Sequence, residues 1–236
     1  MSTVRFMLLM PWGRVGSNLL VSILRQSAPM KLANENLNAL RTAEEQAAWF
    51  GEFYEEDAAQ PSRAFIGSKQ AMMAIRDVPA MTAMLRRAGV RIVRLRRDNL
   101  VKAAVSQMRA EAHAEKLRRE TGEGPWAIRK GMELPGPSAL DPDLLIKRIG
   151  IMERQHQALM SAFAPEEVLD IEYEEINSAL DAVVRRVREY LDMPQKAYDV
   201  PFIKATPNDL RAAIVNYDEV MERLALNNYV NSIDTN

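Results

Sequence analysis

The sequence predicts an α/β fold of three layers, in which helices cover both faces of a central, mostly parallel sheet. Short apolar runs of strand length alternate along the chain with longer segments whose apolar residues recur at helical spacing. The length of 236 residues suits one sizeable domain, and no shift in composition divides it. We therefore expect a single domain over residues 1–236, with the 47% hydrophobic and 27% charged content of an ordinary globular protein.

The first strand and helix have clear boundaries. Residues 4–10, which include the continuous apolar run 6–10, are typical of a buried strand, and Pro11 and Gly13 end it. Ser17 is placed to cap a helix over residues 18–26, in which leucine and isoleucine side chains fall on one face.

The same alternation continues up to residue 120. A short extended segment is predicted at 30–33, and Thr42 with Glu45 forms a capping box for a helix that runs to about residue 59. The further elements predicted here are strands at 64–66 and 90–95, a helix from 70 to 88 that Pro79 interrupts and Gly89 ends, and a long helix at 99–120.

Residues 121–140 are rich in glycine and proline, which predicts a long loop without regular structure. Such loops in compact domains often serve function, so we expect this one to act as a lid over the second substrate, with Trp126 covering it; simple disorder is the alternative. The elements predicted after it are a helix that begins at Asp141 and Pro142, a strand at 168–171, and helices at 179–191 and 208–226.

The composition excludes several classes of protein. The chain has no cysteine and two histidines, so a disulfide framework, a thiolate site and a multi-histidine metal centre are all excluded, and we expect no metal. The apolar run at 6–10 is too short to span a bilayer and no signal-peptide cleavage pattern follows it, so no transmembrane segment and a cytoplasmic location are expected.

The charge of the chain is uneven. The formal net charge of −1 gives no general attraction to nucleic acid. A basic cluster nevertheless lies between residues 86 and 109, which predicts a small anionic ligand. Its members are Arg86, Arg87, Arg91, Arg94, Arg96, Arg97, Lys102 and Arg109.

The turn after the first strand has the parts of an anion site. Gly13 and Gly16 let the backbone approach a ligand closely, and Arg14 supplies a planar charged donor. Ser17 and Asn18 add donors where the helix dipole is positive. The lysine of the nucleoside-triphosphate loop is missing, and an ordinary turn with an incidental arginine is the alternative interpretation.

A second anion site is predicted at the end of the strand 90–95. Arg96 and Arg97 follow this strand at its carboxyl end, where open α/β sheets bind ligands. Ser106 lies between two and three turns into the next helix, so a guanidinium and a hydroxyl are able to converge on one phosphate. A solvated basic edge is the alternative.

Together these motifs resemble those of sulfotransferases that use 3′-phosphoadenosine 5′-phosphosulfate (PAPS), in particular the bacterial enzymes that act on sugars and glycolipids. Arg14-Val-Gly-Ser-Asn-Leu19 is similar to the 5′-phosphosulfate loop of that family, with Asn18 where threonine is usual. The arginine pair at 96–97 with Ser106 is similar to the 3′-phosphate motif, and 171–176 and 202–220 are also family-like. The resemblance implies the P-loop-like sulfotransferase fold.

The resemblance also implies roles for individual residues. Arg14 would neutralise charge on the bridging oxygen of PAPS, while Arg97 (or Arg96) and Ser106 would bind the 3′-phosphate, with Lys204 reaching it from a loop. The loop residues that would bind the 5′-phosphosulfate are Gly13, Arg14, Val15, Gly16, Ser17, Asn18 and Leu19.

Two further residues are candidates for catalysis. Glu35 occupies the place of the carboxylate that serves as general base in related bacterial enzymes, and a surface or capping carboxylate is the alternative. Lys69, near the end of the second apolar strand, would assist the leaving group or the acceptor, and a solvated strand-end lysine is the alternative.

The resemblance implies transfer of a sulfuryl group to a hydroxyl of a sugar, a lipid or another small molecule. Two other functions stay open: a kinase-like enzyme of the same scaffold, and a non-catalytic binding protein. The C-terminal segment is a candidate homodimer contact.

Overall fold

The structure, a computed structural model, describes residues 3–55, 64–121 and 128–229. The strands are β1 (Val4–Met10), β2 (Met30–Asn34), β3 (Phe65–Ala71), β4 (Arg91–Arg96) and β5 (Val168–Glu172). The helices are α1 (Ser17–Ser27), α2 (Ala43–Glu55), α3 (Val78–Arg87), α4 (Leu100–Thr121), α5 (Pro142–Ala162), α6 (Tyr173–Ser178), α7 (Leu180–Tyr190) and α8 (Tyr217–Leu226). Short 3₁₀ turns lie at Asn36–Ala39, Met72–Ala74 and Pro165–Glu167.

The chain divides into two compact units. The first comprises residues 1–96 and 155–199, and the second comprises residues 97–154 and 200–236. The expectation of a single domain stays a prediction.

The first unit is built on a five-stranded sheet in the order β2-β3-β1-β4-β5. Every pairing in this sheet is parallel. The predicted α/β class with a central parallel sheet is therefore confirmed.

Helices cover both faces of this sheet. Alternate residues of β1 point to opposite sides, so Phe6, Leu8 and Met10 pack into one apolar cluster, with α1 and α7. Met7 and Leu9 pack into the other cluster, with α2, α3 and the end of α5. The predicted three-layer arrangement follows directly from this alternation.

Gly67 lets β3 lie beside β1 without steric conflict. A Cβ atom at this position would lie 2.1 Å from the ring of Phe6. Because residue 67 pairs with Phe6 in the sheet, only glycine leaves room for a phenylalanine at the centre of the core.

The prediction that Pro79 interrupts a helix over residues 70–88 is wrong. β3 continues to Ala71, and α3 begins only at Val78, with Pro79 in its first turn. Asp77 caps this helix, since its Oδ1 accepts a hydrogen bond of 2.9 Å from the N–H of Ala80. Proline is favourable in the first turn because its missing N–H has no helical partner there.

The predicted last helix is too long at its start. Residues 208–216 form turns, and α8 covers only Tyr217–Leu226. The reason lies in two contacts with the segment 138–140. Ile214 forms an isolated bridge with Ser138, and the side chain of Asn216 pairs with both the N–H and the carbonyl of Leu140.

Other elements agree with the sequence patterns. The capping box of Thr42 and Glu45 forms, with hydrogen bonds of 3.1 Å in both directions. Asp141 caps α5, since its Oδ1 accepts from the N–H groups of Asp143 and Leu144. Helix α6 has no counterpart among the predicted elements. In the described ranges, no helix is both long enough and apolar enough to cross a membrane.

Candidate functional site

The turn between β1 and α1 has an enforced backbone shape. Arg14 has φ 69° and Gly16 has φ 78°, so both lie in the left-handed region. For Arg14 this conformation costs roughly 1–2 kcal/mol. A Cβ atom at residue 16 would also lie 2.9 Å from Cδ1 of Ile176, so both conformation and space require glycine there. The surrounding packing therefore fixes the course of this turn.

The N-terminus of α1 is formed by this turn. Gly16 occupies the N-cap position, and the first turn of the helix contains no acidic residue. The prediction that Ser17 is the cap is wrong; Ser17 is the first helical residue and is 5% exposed. Because glycine has no side chain to accept the first N–H groups, the positive end of the helix dipole can receive an anion.

A buried lysine connects this helix to Glu35. Lys69 is 4% exposed, and its Nζ lies 2.6 Å from Oδ1 of Asn18 and 2.7 Å from Oε1 of Glu35. We call these three residues the Lys69 cluster. Its members come from three neighbouring places at the carboxyl end of the sheet: the start of α1, the residue after β2, and β3.

The sheet register explains why these residues meet. Asn34, the last residue of β2, is paired with Lys69 on β3. Glu35 follows at once with φ 51°, and its N–H donates to the carbonyl of Lys69 over 2.7 Å. Its second carboxylate oxygen accepts a hydrogen bond of 3.3 Å from Nδ2 of Asn38. Glu35 is thus fixed through its backbone and through both carboxylate oxygens.

Two glutamines hold the turn that follows Glu35. Gln46 is 3% exposed, and its Nε2 donates to the carbonyls of Leu37 and Ala74. Gln70, which is fully buried, accepts from the N–H of Leu37 over 3.4 Å. Neither glutamine is predicted from the sequence, because nothing in the local pattern distinguishes a buried amide from a surface one.

Arg96 lies in the first unit and is held by an acidic residue. It is paired in register with Glu172 on β5, and its Nη2 donates to Oε1 of that carboxylate. Two residues earlier, Arg94 forms an equivalent rung with Asp170, through two hydrogen bonds of 2.7 Å. Arg96 therefore belongs to an ion-pair ladder between β4 and β5.

Arg97, Ser106 and Lys204 lie in the second unit. Arg97 and Ser106 are each 5% exposed, and Oγ of Ser106 accepts a hydrogen bond of 3.3 Å from Oγ1 of Thr206. Lys204 is exposed and contacts Oδ1 of Asn208. Thr206 is a residue that the sequence analysis did not single out, although it stands in the family-like segment 202–220.

The predicted lid loop is described in part. Residues 122–127, with Trp126, lie outside the described residues. Residues 128–140 contain no helix and make two isolated bridges, from Arg129 to Phe202 and from Ser138 to Ile214. In the described parts of the chain, no group of three or more histidine, aspartate or glutamate residues is placed to hold a metal ion.

Comparison with known proteins gives matches among solved structures alone. No family model and no curated protein matches the chain. A sulfotransferase from Alicyclobacillus acidocaldarius matches with a TM-score of 0.48 and 14% identity, over 98% of this chain and 93% of its own.

Two sulfotransferase domains also match. The one from the curacin biosynthetic pathway has a TM-score of 0.42 and 14% identity, over 83% of this chain and 76% of its own. The one from the olefin synthase of Synechococcus PCC 7002 has a TM-score of 0.40 and 12% identity, over 99% and 95%. These three likenesses are weak, and no residue's role is taken from them.

Proposed function

We propose that this chain is a PAPS-dependent sulfotransferase that transfers a sulfuryl group to a hydroxyl acceptor. The observation that carries the proposal is the Lys69 cluster, which joins the N-terminus of α1 to the carboxylate of Glu35 through one buried ammonium. Sulfuryl transfer to a hydroxyl requires a protein to bind an anion and to accept a proton. The Lys69 cluster contains groups suited to each function, and hydrogen bonds join them.

The reaction sets the demands on the site. A bond forms between the acceptor oxygen and sulfur, the bond between sulfur and the 5′-phosphate oxygen breaks, and the hydroxyl proton goes to a base. The donor supplies the activated sulfuryl group. The protein must stabilise negative charge on the departing phosphate oxygen and accept the proton.

Charge stabilisation is assigned to the turn and to Lys69. The N–H groups at the start of α1, with Ser17 and Asn18, suit the 5′-phosphate, and Arg14 suits the oxygen that gains charge as the S–O bond breaks. Lys69 donates a hydrogen bond to Oδ1 of Asn18, and because Lys69 is buried, solvent screens its positive charge only weakly.

Proton acceptance is assigned to Glu35. Its carboxylate is 36% exposed, so a hydroxyl acceptor is able to reach it, while Lys69 and Asn38 fix its orientation. A well-placed general base contributes about 10²–10⁴-fold to rate.

For the 3′-phosphate we propose Arg97 with Ser106, and we reassign Arg96. The guanidinium of Arg96 is engaged by Glu172 in the first unit. We expect Arg97→Ala to weaken binding of adenosine 3′,5′-bisphosphate at least tenfold, and Arg96→Ala to weaken it less than threefold. If both substitutions weaken this binding equally, Arg96 also contacts the 3′-phosphate and the reassignment is wrong.

Calorimetry on the full chain tests the nature of the donor. Adenosine 3′,5′-bisphosphate is expected to bind without magnesium and more tightly than ATP with magnesium. Arg14→Ala should weaken this binding at least tenfold, whereas Arg25→Ala, an exposed arginine in the last turn of the same helix, should leave it unchanged. Preference for ATP with magnesium would favour the kinase-like alternative instead.

Transfer of radiolabelled sulfate from PAPS to a panel of sugar, lipid and small-molecule alcohols tests the reaction. Glu35→Gln should lower the rate by about 10²-fold or more. Glu52→Gln changes an exposed carboxylate on α2 in the same way and should have no effect. A chain that binds the bisphosphate but transfers sulfate to none of these acceptors would support the non-catalytic alternative.

A further inference from the structure

The second unit contains a pocket that the proposed function does not use. It lies between α4 and residues 132–138 and has a volume of about 410 Å³, within the range of small-molecule sites. The large apolar side chains in its wall are Leu117, Met132, Leu134, Pro135 and Pro137. Of these, Leu134 is 52% exposed, so its side chain is accessible to a ligand that enters the pocket.

The loop side of the pocket is held in place by hydrogen bonds. Nη2 of Arg109 donates to the carbonyls of Pro135 and Gly136, over 3.0 and 2.9 Å. At the end of the same segment, the N–H of Val215 donates to the carbonyl of Ser138 over 3.0 Å. Because these bonds fix the backbone of the loop, this wall of the pocket is preformed, and ligand binding loses little free energy to ordering of the loop.

A positive charge is buried behind this wall. Arg109 is 2% exposed, and its Nε and Nη1 have no hydrogen-bond partner among the described residues. Burial lowers the pKa of Arg109. A guanidinium nevertheless stays protonated in proteins, so the positive charge behind the wall is not neutralised.

A histidine on α4 faces the pocket one turn further along. His113 lines the cavity and is half-buried, and its Nε2 is buried without a hydrogen-bond partner among the described residues. Lys116 and Glu133 also line the pocket, and their charges balance each other. The buried charge of Arg109 therefore gives the pocket a net preference for an anion.

We propose that this pocket binds an amphipathic monoanion. The apolar body of the ligand lies against Leu117, Met132 and Leu134, and its anionic head group lies toward His113, with Arg109 behind the wall. The proposal uses the second unit alone and does not depend on the proposed sulfuryl transfer.

Calorimetry with three ten-carbon probes, each kept below its micelle concentration, tests the ligand class. Decanoate and decyl sulfate share the anionic head and the apolar body, while decan-1-ol lacks the charge. At least one of the two anions should bind the full chain tenfold or more tightly than decan-1-ol. The comparison between them distinguishes a carboxylate from a sulfate ester as the preferred head group. Equal affinity for all three probes would overturn the proposal, because the pocket would then be only an apolar surface.

A matched pair of variants tests the location. Leu134→Asp places a carboxylate at the pocket and should weaken binding of decanoate at least tenfold. Leu144→Asp adds the same charge to an exposed leucine of the same unit, outside the pocket lining, and should change it less than twofold. Equal effects of the two changes would place the anion elsewhere and refute the proposal.

The role of the buried charge is tested by Arg109→Met. Decanoate should then bind no more tightly than decan-1-ol, while the affinity for decan-1-ol stays as in the parent chain. Circular dichroism shows whether this variant folds; if it does not, the Leu134 and Leu144 pair decides. Because none of these measurements uses a sulfuryl donor, failure here leaves the proposed function intact, and the reverse also holds.

Discussion

The structure of the ion pair between Lys69 and Glu35 predicts that removing one partner costs more stability than removing the other. The ammonium is 4% exposed and the carboxylate is 36% exposed, with 2.7 Å between the charged atoms. Glu35→Gln leaves a buried ammonium without its counter-charge, whereas Lys69→Met removes the buried charge and leaves a carboxylate that water reaches. The first change should therefore cost more stability than the second, although both break the same contact.

The expected magnitudes follow from these distances and exposures. At an effective dielectric of about 20, charges 2.7 Å apart attract by roughly 6 kcal/mol, and solvent at Glu35 and the cost of burying Lys69 offset most of this. We expect Glu35→Gln to lower the free energy of unfolding by about 1–3 kcal/mol, typical of a hydrogen bond between charged groups. We expect Lys69→Met to change it by less than about 1 kcal/mol.

A double-mutant cycle measures the coupling. Once Met replaces Lys69, Glu35→Gln should cost less than about 0.5 kcal/mol, because no buried ammonium remains to be neutralised. Urea unfolding followed by both fluorescence and circular dichroism gives the four free energies, and coincidence of the two signals checks that unfolding is a two-state process. Glu52→Gln serves as the control for the loss of one carboxylate.

One result would refute this reasoning. If Lys69→Met destabilises the chain as much as Glu35→Gln does, the loss of stability does not come from an uncompensated buried charge, because methionine keeps most of the lysine stem and removes the charge. The proposal that Lys69 supplies a fixed charge at the site would then lose its basis.

Two further predictions concern the turn and an exposed ion pair. Gly16→Ala should lower the free energy of unfolding by about 2–4 kcal/mol, since strain at positive φ adds to the 2.9 Å approach to Ile176. Gly89 also has positive φ but has open space around it, so Gly89→Ala should lower the free energy of unfolding by only about 1 kcal/mol. Urea unfolding measures both values. A hydrogen bond from Arg86 lowers the pKa of Glu167 to about 2, so this carboxylate stabilises the fold above pH 4.5 and loses that contribution as the pH falls toward 2. Glu167→Gln should therefore flatten the pH dependence of stability in that window; an unchanged slope would contradict the assignment.

The sequence predicted the fold well where patterns are local. The run at 6–10 is continuous and apolar because this part of β1 is buried on both faces, and the structure ends that strand at Met10 as predicted. The prediction failed for residues 70–88 and 208–216. In both segments distant contacts decide the outcome: β3 pairs with β1 up to Ala71, and the side chain of Asn216 is hydrogen-bonded to the backbone of Leu140.

The residue types in the sequence indicated the individual candidate residues of the site, but they did not indicate which of these residues contact one another. Glu35, Lys69 and Asn18 were each named from the sequence, yet no spacing along the chain indicates that one ammonium joins the other two. That arrangement depends on the pairing of Asn34 with Lys69, which is a property of the sheet. The supporting amides of Gln46 and Gln70 were missed for the same reason.

In the basic segment 91–97, the neighbouring strand β5 determines which arginines form structural ion pairs. The sequence contains four arginines here, at 91, 94, 96 and 97, and it predicts that Arg97 or Arg96 binds a phosphate. Asp170 and Glu172 stand two residues apart on β5, in register with Arg94 and Arg96.

Because side chains two residues apart share one face of a sheet, each carboxylate meets one arginine, and both pairs form. Arg94, which is 1% exposed, also donates to the carbonyl of Phe163 near the end of α5, so its role is to bind this helix to the sheet. Arg97 lies beyond the last residue of β4 and so beyond this ladder. The carboxylates of β5 therefore engage Arg94 and Arg96, and this is the physical reason for proposing a structural role for Arg96 in place of the predicted 3′-phosphate contact.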